Sequence, residues 1–173
     1  MTMRRMTSPA TRNIPVSVRR ASVDDADVIA GIHVRAWQEA YRHLLPHSTL
    51  DTLDPADRVD RWRRIVSGDD EETWVAELEG TVVAWATTSA RDGSTYPRDR
   101  EVNGIYALAS AHGSGVGQAL LDALVGDAPA FLWVASNNPR AHAFYRRNGF
   151  GPDGAVDEYA MLGTLVAIER WTR

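Results

Sequence analysis

Residues 101–117, EVNGIYALASAHGSGVG, decide the fold. A strand pattern runs straight into a loop with glycines at 113, 115 and 117, and the amphipathic run QALLDALV (118–125) follows without a break. Glycines at that spacing let several backbone N–H groups turn toward one anion, and the helix that begins there adds the positive end of its dipole. The expected guest is a pyrophosphate. Downstream come the short apolar run FLWVAS (131–136) and then NNPRAHAFYRRNGF (137–150). The first suits a central strand covered on both faces. In the second, Asn138 caps a helix, Pro139 takes its first position and Asn148-Gly149 closes it.

Other phosphate-binding loops fail by count. With Gly113 and Gly115 as the first two glycines of a dinucleotide fingerprint, Gln118 stands where a small residue must pack; with Gly115 and Gly117, Leu120 stands there. A Walker loop is excluded because no Lys-Ser or Lys-Thr follows.

The composition fits one globular domain. The 173 residues are 44% hydrophobic, enough to bury a sizeable core. A net charge of -4 argues against a nucleic-acid partner and favours cationic ligands. The chain has no Cys, which excludes disulfides, thiolate metal sites and a cysteine nucleophile and fits a reducing compartment, so a cytoplasmic location is expected. Residues 1–15, MTMRRMTSPATRNIP, hold no apolar run long enough for a signal peptide or membrane span and are expected to form a flexible tail, leaving 16–173 as the domain.

Working outward, VSVRR (16–20) alternates as a strand. Ser22 with Asp24 and Asp25 opens a helix that presents Val28, Ile29, Ile32, Ala36 and Ala40 inward and ends before Pro46. A second helix is expected over 55–67. TWVAELEGTVVAWATTSA (73–90) predicts two strands joined at Glu79-Gly80, RDGSTYPRDR (91–100) a polar loop, and AVDEYAML (155–162) and TLVAIERW (164–171) two final strands around Gly163. The expected class is α/β (α+β): a mixed, mostly antiparallel sheet of about seven strands flanked by about four helices.

The order of strand, x-x-G-x-G/A loop, helix, strand, N-x-x-A-x-x-x-Y and N-G-F over 101–150 resembles the acyl-CoA-binding core of the GNAT superfamily of N-acetyltransferases. VSVRRAS (16–22) and HVRAWQEAYRHLLP (33–46) are similar to the family's first strand, helix and following loop, so nearly the whole chain beyond residue 15 is covered. The resemblance implies a sheet whose central strands splay apart at a bulge, and acetyl-CoA as co-substrate. It places pyrophosphate on the loop residues His112, Gly113, Ser114, Gly115, Val116, Gly117 and Gln118. Backbone amides near Tyr106 and Ala107 would hold the pantetheine arm and the thioester oxygen, and Asn138 would contact the pantetheine-to-phosphate arm. Tyr145 would protonate the departing thiolate. Relatives usually carry Arg or Gln where this chain has His112, and often Arg at Ser114; with no fixed charge in the loop, backbone donors must do more, aided by a pH-sensitive contribution from His112.

An amine acceptor, with a pKa of about 10 in water, must lose a proton before or during attack. Glu101, at the family's frequent general-base position, a water held by it, or Asp157 or Glu158 are the candidates. His33, Trp37 and Tyr41 recur at i, i+4, i+8 on the first helix; they are core packing or, for Trp37 and Tyr41, the border of an acceptor pocket. Pro46 separates His43 from His47, and no metal site is expected. The function implied is direct acetyl transfer to a primary amine of a small molecule or amino acid. The alternatives are protein N-terminal acetylation and a non-catalytic acyl-CoA-binding module. No nucleic acid or membrane is expected as partner, and the last strand would offer an edge for a homodimer.

Overall fold

The computed structural model describes residues 15–173; the tail expected over 1–15 lies, apart from Pro15, outside the described residues. The chain runs β1 (Val16–Arg20), α1 (Ala26–Tyr41), α2 (His47–Asp51), α3 (Ala56–Ser67), β2 (Glu71–Leu78), β3 (Thr81–Ala90), β4 (Arg100–Ala107), α4 (Val116–Val125), β5 (Phe131–Ala135), α5 (Pro139–Arg147), β6 (Gly151–Met161) and β7 (Thr164–Thr172). The seven strands form one sheet in the order β1-β2-β3-β4-β5-β7-β6. Every neighbouring pair is antiparallel except β4 and β5, which are parallel.

The alternation of side chains along β2, β3 and β5 sorts the core onto two faces. Ala76, Ala84, Ala86 and Val134 meet Leu120, Leu121 and Leu124 of α4 and Tyr145 of α5. On the opposite face Val75 and Trp85 meet Ile29 and Ile32 of α1 and Trp62 of α3. Beyond them, Tyr41 and Leu50 pack on Ala135 and Val166, so the end of α1 reaches the half of the sheet beyond β4.

Three local expectations are corrected. Five α-helices appear among the described residues rather than four, because Pro46 does not simply end the first helix: it caps the five-residue α2, which carries the fully buried Leu50. Ser22 and Asp25 form a capping box on a 3₁₀ turn, Val23–Asp25, and α1 starts only after it. Asp25 is also clamped by both terminal nitrogens of Arg19 at 2.8 Å. Val28 faces solvent, since with the helix begun at Ala26 the inward stripe runs through Ile29, Ala30, Ile32 and His33. The expected turn at Glu79-Gly80 is present, with both residues at positive φ. Among the described residues no helix is long and apolar enough to cross a membrane.

Candidate active site

The central feature is a seam. β4 and β5 pair only at Glu101 and Phe131 and then diverge. A bulge on β4 precedes the divergence: Thr87 faces Gly104 while Thr88 faces Val102, leaving Asn103 as the extra residue. Thr88 Oγ1 donates to Glu101 O at 2.7 Å and Asn103 Nδ2 to Ser89 Oγ at 2.6 Å, so side chains from β3 hold the distortion.

Beyond the bulge the direction of each β4 amide follows from the ladder. Leu108 N donates to Val83 O at 3.0 Å, and in an antiparallel pair alternate residues bond the same neighbour. The amides of Gly104 and Tyr106 therefore serve β3, while those of Ile105 and Ala107 face the seam. The expectation for Tyr106 is thus corrected: its amide is spent on the sheet, and Ile105, which the sequence did not single out, has the free one.

Below the seam a cleft of about 1330 Å³ is lined by the glycine loop, β4, the start of α5 and the inner side of α1. The chain leaves β4 through a 3₁₀ turn, Ala109–Ala111, and enters α4 from Gly115. Gly113 and Gly115 sit at φ 81° and 94°, conformations that favour glycine. Among the described residues the amides of Gly113, Gly115, Val116, Gly117 and Gln118 find no acceptor. Ser114 is turned inward instead: its N and Oγ both donate to Ala111 O, at 3.3 and 2.6 Å. The result is five free donors at the positive end of a ten-residue helix, a cradle for an anion.

His112 bonds Ala107 O through Nε2 at 3.2 Å, and its pKa is lowered by partial burial and by Arg140 nearby. It is therefore neutral at pH 7, so the positive charge at this end of the cleft comes from Arg140 on the first turn of α5, which the sequence reading passed over. Glu39 of α1 was also missed. Its Oε2 accepts from Ala109 N at 2.7 Å.

Asn138 caps α5, its Oδ1 accepting from Ala141 N at 3.1 Å, and lines the cleft as well. Tyr145, two turns along α5, is 7% exposed, and among the described residues its hydroxyl has no hydrogen-bond partner. Burial raises its pKa, so it stays protonated at neutral pH. Across the seam Tyr41 and Tyr106 join hydroxyls at 3.0 Å, and burial raises both of their pKa values too.

Glu101 lines the cleft with Oε2 held by Arg91 Nε at 2.6 Å and Oε1 unengaged among the described residues. Asp157 and Glu158 are exposed on β6 and do not line the cleft. His33 forms the aromatic centre of the cleft's other end, with Trp37, Trp85, Trp62 and Tyr106 at ring distances of 4.9, 5.4, 5.6 and 6.1 Å. Trp62 Nε1 donates to His33 Nδ1 at 3.2 Å, which places the ring proton of the neutral tautomer on Nε2. Burial, reinforced by Arg58 and Arg61, lowers the His33 pKa to about 3. With Nδ1 engaged and Nε2 protonated, His33 has no lone pair to offer as a base. Among the described residues no cluster of His, Asp and Glu suited to a metal ion occurs.

Comparison with known proteins agrees with this geometry. The sequence matches the Acetyltransferase (GNAT) family over residues 34–150. It is 31% identical over 157 residues to an uncharacterized N-acetyltransferase, YuaI, of Bacillus subtilis (strain 168), covering 86% of this chain and 87% of that one. Two solved structures share the fold: a GCN5-related N-acetyltransferase from Rhodopseudomonas palustris, with TM-score 0.72 and 20% identity over 91% of this chain and 94% of its own, and the PaiA N-acetyltransferase from Thermoplasma acidophilum in complex with coenzyme A, with TM-score 0.67 and 15% identity over 90% and 98%. The chain belongs to the GNAT family of acetyltransferases, and acetyl-CoA is its co-substrate.

Proposed function

We propose that the protein transfers the acetyl group of acetyl-CoA directly to a primary amine of a small molecule or amino acid. The observation that carries this reading is the alignment, along one cleft, of the five free amides at the start of α4, the seam-facing amides of Ile105 and Ala107, and the buried, protonated Tyr145 hydroxyl. The loop amides and Arg140 would hold the pyrophosphate, with Asn138 and the β4 edge along the pantetheine arm. When bound, acetyl-CoA supplies an activated thioester. The Ile105 and Ala107 amides stabilise negative charge developing on the carbonyl oxygen, a contribution of about 3 kcal/mol per donor in comparable sites. Tyr145 gives its proton to the departing sulfur. Glu101 takes the amine proton through a water on Oε1, while Arg91 fixes the carboxylate in place. The absence of Cys supports direct transfer without an acyl-enzyme.

The aromatic end, in which Trp37, Trp62 and Trp85 line the cleft beside His33, offers flat ring faces to a compact acceptor rather than backbone partners to an extended peptide N-terminus. The test is thermal denaturation with ligand, followed by turnover. Acetyl-CoA should raise the midpoint while NAD and adenosine do not, because a ligand that binds only the folded state stabilises it by mass action. Tyr145→Phe should keep the shift and lose roughly 10²–10⁴-fold in kcat. No shift with millimolar acetyl-CoA overturns the reading; a full shift without thiol release from any amine or peptide leaves a binding module in its place.

A further inference from the structure

Two arginines stand at the aromatic end of the cleft, Arg61 on its lining and Arg58 against the Trp37 ring, more positive charge than an amine acceptor calls for. Arg58 and Arg61 stand three apart on α3, so they project on neighbouring turns of one face and repel each other. Neither forms an ion pair among the described residues. Arg58 lies with Cζ 5.7 Å from the centre of the Trp37 ring, and its Nε is buried without a partner. Arg61 lines the cleft itself. Asp57 acts on Arg58 without forming an ion pair, so its buried Nε lacks a direct partner, and a bound anion would supply one.

The carboxylates of the cleft do not compensate. Glu39 is engaged with Ala109 N and Arg35, and Glu101 with Arg91. Asp70 and Glu71 share the rim with Arg61, but among the described residues neither forms an ion pair with it. The neighbouring polar atoms are donors as well: His33 Nε2, Trp37 Nε1 and Trp85 Nε1 are buried and unpartnered. From Arg58 the path inward crosses Trp37 and then, 6.4 Å from ring to ring, Tyr106 on β4.

We propose that the acceptor carries a carboxylate, or an oxyanion of similar shape, in addition to its amine: the anion docks on Arg58 and Arg61, its body lies along Trp37 and His33, and the amine reaches the seam beside Tyr106. The inference rests on the acetyltransferase reading and names its substrate class. It reverses the preference for cationic acceptors expected from the net charge of -4, because the field at a site depends on the groups lining it rather than on the sum over the surface.

The experiment measures thiol release from acetyl-CoA with matched sets of amino acids, both α- and ω-, their carboxamides and their decarboxylated amines. The carboxylate member should have at least 10-fold higher kcat/KM. Arg61→Gln, a change at an exposed position, and Arg58→Gln should each raise its KM about 10-fold or more and bring its kcat/KM toward that of the carboxamide; Arg61→Lys should restore part of the preference. Equal or better turnover of carboxamides or decarboxylated amines overturns the proposal, as does a preference that survives in Arg61→Gln. Failure of every set to react, with the acetyl-CoA thermal shift intact, also overturns it. Loss of that shift in the unmodified protein strikes the acetyltransferase reading instead.

Discussion

Gly115 and Gly117 stand two apart in one loop and answer to different demands. Gly115 is at φ 94°, where a side chain is strained whatever space surrounds it, by roughly 1–2 kcal/mol. Gly117 has an ordinary φ, and an added Cβ would meet only the Phe144 ring at 3.5 Å, a normal contact. Gly115→Ala should therefore weaken acetyl-CoA binding about 10-fold or more by turning the free amides away from one another, while Gly117→Ala should bind within a few-fold of the parent. Calorimetric titration of both variants checks the contrast, and equal losses would place the anion elsewhere. His112 illustrates the opposite lesson at this scale. Its type suggested a titrating cation in the loop, but partial burial and Arg140 keep it neutral, and its Nε2 is engaged with a backbone carbonyl.

At the scale of elements, α5 is nine residues long and depends on its ends. Asn138 satisfies the Ala141 amide, and Gly149 follows the last turn at φ 80°. Asn138→Ala should cost about 1 kcal/mol of stability, measured by urea denaturation, and should lower acetyl-CoA affinity too if the same residue contacts the pantetheine arm; a stability loss with unchanged affinity limits it to capping. The cap, the Pro139 start and the Asn148-Gly149 stop were all legible in the sequence because each acts within a few residues of itself. So were the glycine loop and its helix, and the seven strands. The short α2 was not, since one turn after Pro46 has too few residues to show a period. Nor was the capture of Ala109 N by Glu39, seventy positions away in sequence, or the contact of Trp62 with His33, because such pairings exist only once α1, α3 and β4 are packed together. The direction of the Tyr106 amide was lost for a similar reason: it turns on the parity of a ladder interrupted at Asn103.

For the whole molecule, two buried groups set separate acid responses. His33 is neutral in the fold with a pKa near 3 against an ordinary 6.5, so the unfolded chain binds a proton that the native state refuses, and stability falls as pH drops below 6.5 toward 3. The loss amounts to at most about 1.4 kcal/mol for each pH unit. Asp25, held down to about 2 from 3.8 by Arg19, contributes stability that is full above pH 3.8 and is lost as pH falls from there through 2. The decline between pH 6.5 and 4 therefore belongs to the two histidines held below 6.5, chiefly the buried His33 with a smaller part from His112. In His33→Gln, which keeps an acceptor for Trp62, the urea midpoint should vary much less over that interval; an unchanged slope would assign the acid response to other groups.

The seam between β4 and β5 has a consequence for solubility. A seven-stranded sheet normally offers two outer edges, but this one opens a further pair inside, one of them on β4 with the unpaired amides of Ile105 and Ala107. Unpaired strand edges invite any extended chain to pair with them. The pantetheine arm, itself a string of amides, then doubles as a plug, and a cell depleted of coenzyme would hold this protein in its stickiest form.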